Sequence, residues 1–407
     1  MMPNTTPLLE KRRPVDRAAL VERARAMVPT LRERAAQAER DRQISTETVA
    51  MFREAGLFKV LQPAEFGGFE TDFALMMDVI NEIGRGCGSS AWLYGLGAVH
   101  MWLMALFPIE AQRDVWGNDP DAIVTGSYAP QCMVNVEPGG YRIPGGTYAF
   151  ASGVDHSHWS FVGVIFPPAD GQPAPVPGLL LVPSSDYTIE DDWQTYGLCG
   201  TGSKSIVLKD VFVPEHRKLT FPQAASGKSP GAQAHDSPLY KISFLAALPC
   251  AIATPAFGIV QGAIEDVLAH VASQVTRGAA AGAGNRMAEF ASVQTRMAEA
   301  TACVDAAKLL LYRDCAEVMA AVLAGEGITV DMRIRNRRDH AFSIKLAVQA
   351  ANALNESTGG RGLYLDNVVQ RAWRDVNAVS KHITLNWDAV STMVGQHYFG
   401  LEPKGAY

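Results

Sequence analysis

The period of the apolar residues changes twice along this chain, and that change constrains the fold more than any single motif. From about 15 to 120 apolar positions recur at helical spacing. Leu20, Val21, Ala24, Met27 and Val28 form one stripe, and 47–55 continues it behind a cap at Ser45 or Thr46. A Pro/Gly-rich loop from Pro63 to Gly68 precedes an amphipathic helix over 73–83. The stretch 89–107 is apolar on all sides, the pattern of a helix buried all round. Between 122 and 215 the pattern becomes that of short strands: 123–128, 161–166, 178–182 and 206–213. Turns of Pro, Gly and Asp separate them, with tight turns expected at Gly139-Gly140 and Gly145-Gly146. From 239 the helical signal returns as four long helices over 255–275, 289–324, 341–357 and 368–399. Breaks are expected at 277–285, 325–327 and 357–362.

Helices, then strands, then helices are segregated rather than alternating, which predicts an α+β fold and not a doubly wound α/β sheet. The expected division is a helical N-terminal domain (1–121), an antiparallel, barrel-like β-domain (122–215), a linker or lid rich in Pro, Ala, Ser and Gly (216–238), and a C-terminal four-helix bundle (239–407). A hydrophobic content of 48% is ample for a core and excludes wholesale disorder. The net charge of −6, with no basic run longer than Arg335-Asn336-Arg337-Arg338, argues against a nucleic-acid partner. Six cysteines without a CxxC pair point to a reduced, cytoplasmic setting. The first twenty residues lack the apolar core of a signal peptide. The richest apolar stretch, Ser243 to Val260, is interrupted by Pro249 and Pro255, so no membrane span is expected.

Several common chemistries find no support. Gly86-Cys87-Gly88-Ser89-Ser90-Ala91 fits a dinucleotide pattern but follows a helix where a strand is required. Gly197 to Ser205 has one residue too many for a P-loop, and no nucleophile elbow occurs. His156 and His158 stand at i, i+2 without a third ligand cluster, a poor metal site. No metal is expected.

One ordered set of segments does point somewhere. It comprises Ser90-Ala91-Trp92 with His100, 126–130 (GSYAP), Phe150-Ala151-Ser152-Gly153-Val154-Asp155-His156 with Trp159, 197–203 (GLCGTGS), 210–214 (DVFVP), Arg374-Asp375, His382, and Asn386-Trp387-Asp388. This set resembles the acyl-CoA dehydrogenase fold in its flavin-dependent monooxygenase branch, the oxygenase components of two-component aromatic hydroxylases. Oxygenases for steroid-derived phenols and for 4-hydroxyphenylacetate are the nearest likenesses; dibenzothiophene S-oxygenases are more distant. Acyl-CoA dehydrogenases commonly carry a glutamate in a Glu-Gly-Thr context eight residues after such an Arg-Asp. That position is Ile383 here, and an isoleucine cannot abstract an α-proton. Beside it stands His382.

The resemblance implies reduced flavin (FMN or FAD) delivered by a separate NAD(P)H:flavin reductase, dioxygen as co-substrate, and a flavin C4a-hydroperoxide that oxygenates a phenol or other electron-rich aromatic. It implies a homo-oligomer, a tetramer. It also implies residue roles. His382 is the catalytic base, sharing a helix face with Asn386 at i+4, with hydrogen bonding to the hydroperoxide as the alternative. Ser152 sits near flavin N5, with an ordinary strand serine as the alternative. His100 contacts substrate, with a satisfied core histidine as the alternative. Ser127, Tyr128, Trp159, Thr201, Ser203 and Arg374 line the flavin, and Gly359 and Gly360 meet a neighbouring subunit's cofactor. Trp92, Tyr94 and Asn386 complete the substrate site. Relatives often carry arginine where Cys199 stands, so flavin phosphate would rely on other groups, Thr201 and Ser203 among them. Two other functions remain open: N-, S- or indole oxygenation by the same chemistry, and a flavin-binding protein of this fold without oxygenase activity.

Overall fold

A computed structural model describes residues 15–168, 174–275 and 286–407. The break expected at 277–285 and most of the segment read for a leader lie outside the described residues.

Six helices build the N-terminal part: α1 (Arg17–Ala26), α2 (Val28–Asp41), α3 (Thr46–Glu54), α4 (Phe73–Gly86), α5 (Gly88–Met104) and α6 (Ile109–Trp116). Short polar side chains start several of them. Asp16, Ser45 and Asp72 each accept a backbone N–H of the first turn, which settles the α3 cap on Ser45. Every residue of α5 except Leu96 is buried, as its apolar composition requires.

Eight strands form two four-stranded sheets. One holds β1 (Val124–Ser127), β4 (Trp159–Phe166), β5 (Val176–Pro183) and β8 (Lys218–Thr220) in that order; the other holds β2 (Asn135–Glu137), β3 (Gly140–Ala151), β7 (Lys204–Pro214) and β6 (Thr188–Glu190). The sheets are antiparallel but for one pair, since β1 runs parallel to β4. The tight turn expected at Gly145-Gly146 is absent: β3 passes straight through both and stays paired with β7. Alternation along β4 and β5 divides two cores. Val162, Val164, Leu180 and Val182 meet Ile143, Tyr148, Ile206 and Leu208 between the sheets. Phe161, Leu179, Leu181 and Leu219 face the helices instead.

The stretch 216–238 is not a free lid. It contributes β8, α7 (Phe221–Ala225) and α8 (Pro230–Ala234), and buries Leu219, Ala224 and Ala232. The bundle follows as α9 (Phe244–Asp266), α10 (Ala291–Leu323), α11 (Val330–Glu356), α12 (Val368–Val379) and α13 (Trp387–Tyr398). Two expectations are corrected here. Helix α9 starts at Phe244 and runs through Pro249 and Pro255, because burial on every side outweighs the two missing N–H donors. Helix α9 with its continuation to Val271 is long and apolar enough to cross a membrane, but 89% of its most apolar window is buried inside the protein. The helix expected over 368–399 is two, α12 and α13, separated at 380–386 by a 3-10 turn, Ile383–Leu385.

Helix α9 packs on α4 and α5 as well as on its bundle partners, so the first and last zones share one core. At Gly84 a Cβ would come within 2.8 Å of the Gly258 Cα. Glycine on both helices permits this backbone approach.

Candidate active site

Trp92, Ser152, Thr201, Ser203 and His382 come together where α5, the end of β3, the 195–203 loop and the 380–386 break meet. Trp92 is the hinge of the arrangement. Its indole Nε1 donates to Ser152 Oγ at 3.1 Å, and its ring lies 5.9 Å from that of His382. Two helical turns further along the same face, about 12 Å away, stands His100. Tyr94, two residues after Trp92, points to the opposite side, as helix geometry requires. Its hydroxyl donates to Leu57 O at 3.2 Å and its ring packs on Phe52 and Phe58. Tyr94 is therefore a core residue and not a substrate contact.

Ser152 belongs to a hydroxyl chain. Its Oγ lies 2.6 Å from Ser203 Oγ, which lies 2.7 Å from Thr201 Oγ1, which donates to Leu198 O at 2.9 Å. Thr125 Oγ1 donates to the Ser152 carbonyl at 2.7 Å and fixes the backbone there. Thr201 and Ser203 are buried. Their hydroxyls face Ser152 and each other, and are not spread outward to hold a phosphate as expected. The loop carrying them is anchored from α12. Asp375 accepts Leu198 N–H at 2.7 Å, and Arg374 Nη1 donates to Tyr196 O at 2.7 Å and to Glu39. Arg374 thus joins α12, α2 and this loop through Nη1, while its buried Nη2 is left without a partner. Burial raises the Asp375 carboxyl to about 6.

The two histidines have opposite polarity. His382 Nδ1 accepts the Thr384 backbone N–H at 3.3 Å and lies 2.8 Å from Thr384 Oγ1. A backbone N–H can only donate, so Nδ1 carries the lone pair and the neutral ring holds its proton on Nε2. Burial first, and the Arg337 charge second, lower its pKa to about 4. At neutral pH His382 is a hydrogen-bond donor with its basic nitrogen already engaged, which corrects the expected base. His100 is the reverse. Its Nδ1 lies 2.8 Å from Val124 O, a group that can only accept, so Nδ1 is protonated and Nε2 is the acceptor. Burial lowers its pKa to about 4 as well. The His100 ring meets Tyr128 and Phe161 edge-on at 5.8 and 5.7 Å, and Tyr128 in turn meets Phe244. The Tyr128 hydroxyl is buried without a partner, and a buried polar atom left unpaired is costly unless a ligand completes it.

Other expected residues lie apart. Asn386 is the cap of α13, its Oδ1 accepting Ala389 N–H at 3.0 Å, so it shares no helix face with His382. Trp159 opens β4 with Arg217 stacked 4.9 Å over its ring. Ser127 is buried at the end of β1. Gly359 and Gly360 are exposed on a 3-10 turn with open space around both. Ile383, at the position of the missing glutamate, is 83% exposed. His158 accepts Ile123 N–H, His156 bonds Ile44 O, and no metal-holding group of three His, Cys, Asp or Glu occurs among the described residues.

Sequence reasoning passed over two residues. Thr384 sets the tautomer of His382; a Thr two residues after a His was the only signal. Phe150 is 70% exposed with φ 65°, a left-handed conformation rare for a bulky residue. It stands two residues from Ser152, its ring 6.1 Å from Trp193, an exposed aromatic face. Cavity size alone would misplace the site. A cavity of about 590 Å3 lies in the bundle beside Lys345, Asn352 and Trp387. Another of about 850 Å3 lies beside Asp78, Lys308 and Tyr312. Neither is lined by Ser152, His100 or Tyr128.

Helices flanking a pair of β-sheets, with the site at their junction, define an acyl-CoA dehydrogenase-type protein. The family description "Acyl-CoA dehydrogenase, N-terminal domain" matches residues 15–119, and "Acyl-CoA dehydrogenase, C-terminal domain" matches 250–387. A FADH(2)-dependent resorcinol hydroxylase oxygenase component from Rhizobium sp. is 47% identical over 95% of this chain and 96% of its own. The crystal structure of 3-HSA hydroxylase from Rhodococcus sp. RHA1 superposes with a TM-score of 0.88 at 35% identity, covering 95% of this chain and 98% of that one. XiaF from Streptomyces sp., in complex with FADH2 and glycerol, gives 0.87 at 29% identity, covering 96% and 97%. The chain belongs to the acyl-CoA dehydrogenase family, in its branch of flavin-dependent monooxygenases, as an oxygenase component.

Proposed function

We propose that this chain hydroxylates a small neutral phenol, using reduced flavin delivered by a separate reductase. The observation that carries the reading is the buried pair of His100 and Tyr128, one acceptor and one unpartnered hydroxyl, walled by Phe161 and Phe244. No charged side chain belongs to that group, which favours a neutral ring over a carboxylate-bearing one. The 47% identity to a resorcinol hydroxylase supports a monocyclic phenol.

The donor set suits a flavin: Ser152 Oγ and the His382 ring both meet Trp92, one offering a lone pair and the other an N–H. Reduced flavin supplies the two electrons that let dioxygen yield one oxygen atom to the ring. The protein's own residues do the rest. His100 Nε2 accepts the phenol O–H, draws electron density onto the ring carbons and holds the departing proton. Tyr128 completes the second hydroxyl of the substrate or its aromatic edge. With flavin bound, His382 Nε2–H would be a preorganised hydrogen-bond donor in a site of low polarity. Trp92 keeps Ser152 and His382 in register.

Mixing the protein with reduced flavin, oxygen and a panel of resorcinol, naphthol, indole and a thioether tests the reading. Hydroxylated resorcinol in yield above the others is expected. Oxygenation of indole alone or of sulfur alone would replace it with an indole-type or an S-oxygenase. Reduction of bound flavin by an acyl-CoA would contradict the class, as Ile383 already argues.

A homo-oligomer, a tetramer, is part of the same proposal. Leu363, Leu365, Ile383, Phe399 and Leu401 are all exposed in the C-terminal part, apolar side chains that a neighbouring subunit would cover. Gly359 and Gly360 lie beside Leu363, where a neighbouring subunit's cofactor could approach. A reduced, cytoplasmic setting is supported by six cysteines that are all free.

A further inference from the structure

The chain of hydroxyls behind Ser152 has a direction, and the direction follows from its ends. Leu198 O can only accept, so Thr201 Oγ1–H is spent on it. Thr201 Oγ1 must then accept from Ser203, and Ser203 Oγ must accept from Ser152. At the other end Trp92 Nε1–H can only donate, and Ser152 Oγ accepts it. In this state every hydroxyl proton points inward and Ser152 keeps an unused lone pair, with no proton to donate outside the chain. The opposite state is reachable, because Leu198 O also accepts Thr201 N–H and Trp193 Nε1–H. Reversal rotates all three hydroxyls and gives up the Thr201–Leu198 hydrogen bond. It is repaid only when something outside accepts from Ser152.

We infer that Thr201 and Ser203 are positioning residues that set the direction of the Ser152 hydroxyl and thereby make the site discriminate the redox state of flavin. The inference rests on the proposed meeting of Ser152 with flavin N5. Reduced flavin carries N5–H, a donor, and fits the inward state as it stands. Oxidised flavin has a bare N5, an acceptor, and fits only after reversal. One hydrogen bond separates the two, which makes the reduced form bind about three- to tenfold more tightly through this contact alone.

The test is anaerobic titration of the full chain with reduced and with oxidised flavin, FMN and FAD each, reading the ratio of the two dissociation constants. Thr201→Val leaves Ser203 to donate to Ser152, so Ser152 turns outward and the ratio falls about tenfold or inverts. Ser203→Ala frees the Ser152 proton and lowers the ratio by a similar factor. Thr201→Ser keeps the hydroxyl and the wild-type ratio. Should Thr201→Val fail to fold by its melting curve, Ser203→Ala carries the test. Ser152→Ala separates the two layers of the argument. If it leaves both affinities unchanged, Ser152 does not meet the flavin and the underlying reading falls. If it shifts them while folded Ser203→Ala and Thr201→Val keep the wild-type ratio, the positioning role is overturned.

Discussion

His382 shows how one hydrogen bond decides a residue's chemistry. With Thr384 N–H on Nδ1, the ring offers Nε2–H, so a side chain that keeps a donor near Nε2 should keep function. His382→Gln is expected to hold the hydroxylation step within about tenfold of wild type. His382→Ala should lose about 10²–10³, the usual cost of removing one preorganised donor. Single-turnover product formation checks both, and equal losses would return His382 to the role of base. The pH dependence separates the roles too. Both His100 and His382 have pKa values lowered to about 4, so neither changes charge between pH 5 and 8. The hydroxylation rate should show no inflection near 6.5, and a limb at that pH would contradict the neutral tautomers. On the proposed contact between Ser152 and the flavin, Ser152→Ala should raise hydrogen peroxide formed per flavin consumed while product falls, through the loss of about 1 kcal/mol of hydrogen bonding.

Between elements, Asp375 is the tie that matters to the site. It reaches from α12 to the Leu198 N–H, and a Cβ at Gly88, the first residue of α5, would lie 2.7 Å from its Oδ2. Asp375→Ala should unseat the Thr201–Ser203 loop, cost about 1–3 kcal/mol of stability and raise peroxide release. Asp375→Asn keeps a carbonyl acceptor and removes the buried charge. With the carboxyl raised from 3.8 to about 6, the native state binds its proton more tightly than the unfolded chain, so this group's stabilisation is lost as pH rises through that window. The stability of Asp375→Asn relative to wild type should therefore climb between pH 4 and 7 and then level off, read by denaturant melts across that range. The break at 380–386 has a comparable logic. Arg337, buried on α11, donates to Thr384 O at 2.8 Å and to Ala406 O at 3.3 Å, holding the His382 turn between the bundle and the chain's end.

At the scale of the whole molecule, the N-terminal helices and the bundle are one cooperative body because α9 is packed into both. Gly258→Ala would drive a Cβ to 2.5 Å from Asn81 O and 2.9 Å from Gly84 Cα. An overpacking cost of about 1–3 kcal/mol is expected. The melt should stay a single transition at lower temperature; separate melting of the N-terminal helices would contradict the shared core. The exposed C-terminal apolar residues belong to this scale as well. Phe399→Asp with Leu401→Asp should reduce the molecular mass measured in solution by light scattering, whereas a wild-type monomer would refute the oligomer.

What could be read from the sequence was local. The periods of 3.6 and 2 marked three zones, the all-apolar α5 and four of the eight strands, because periodicity records which face is buried whatever buries it. Ser152, His100 and His382 were singled out there, through the order of short segments around them. Contacts between distant parts of the chain were not legible. Trp92 meets Ser152 across 60 residues, Ser152 meets Ser203 across 51, and Asp375 meets Leu198 across 177. Those contacts give the hydroxyls their direction, and a carbonyl or amide at one ring nitrogen gives each histidine its tautomer. They also turned Tyr94 into the core, made Asn386 a cap and kept α9 whole through two prolines. A hydrogen bond needs its donor and acceptor within about 3 Å and aligned, and only the folded chain brings such distant groups that close.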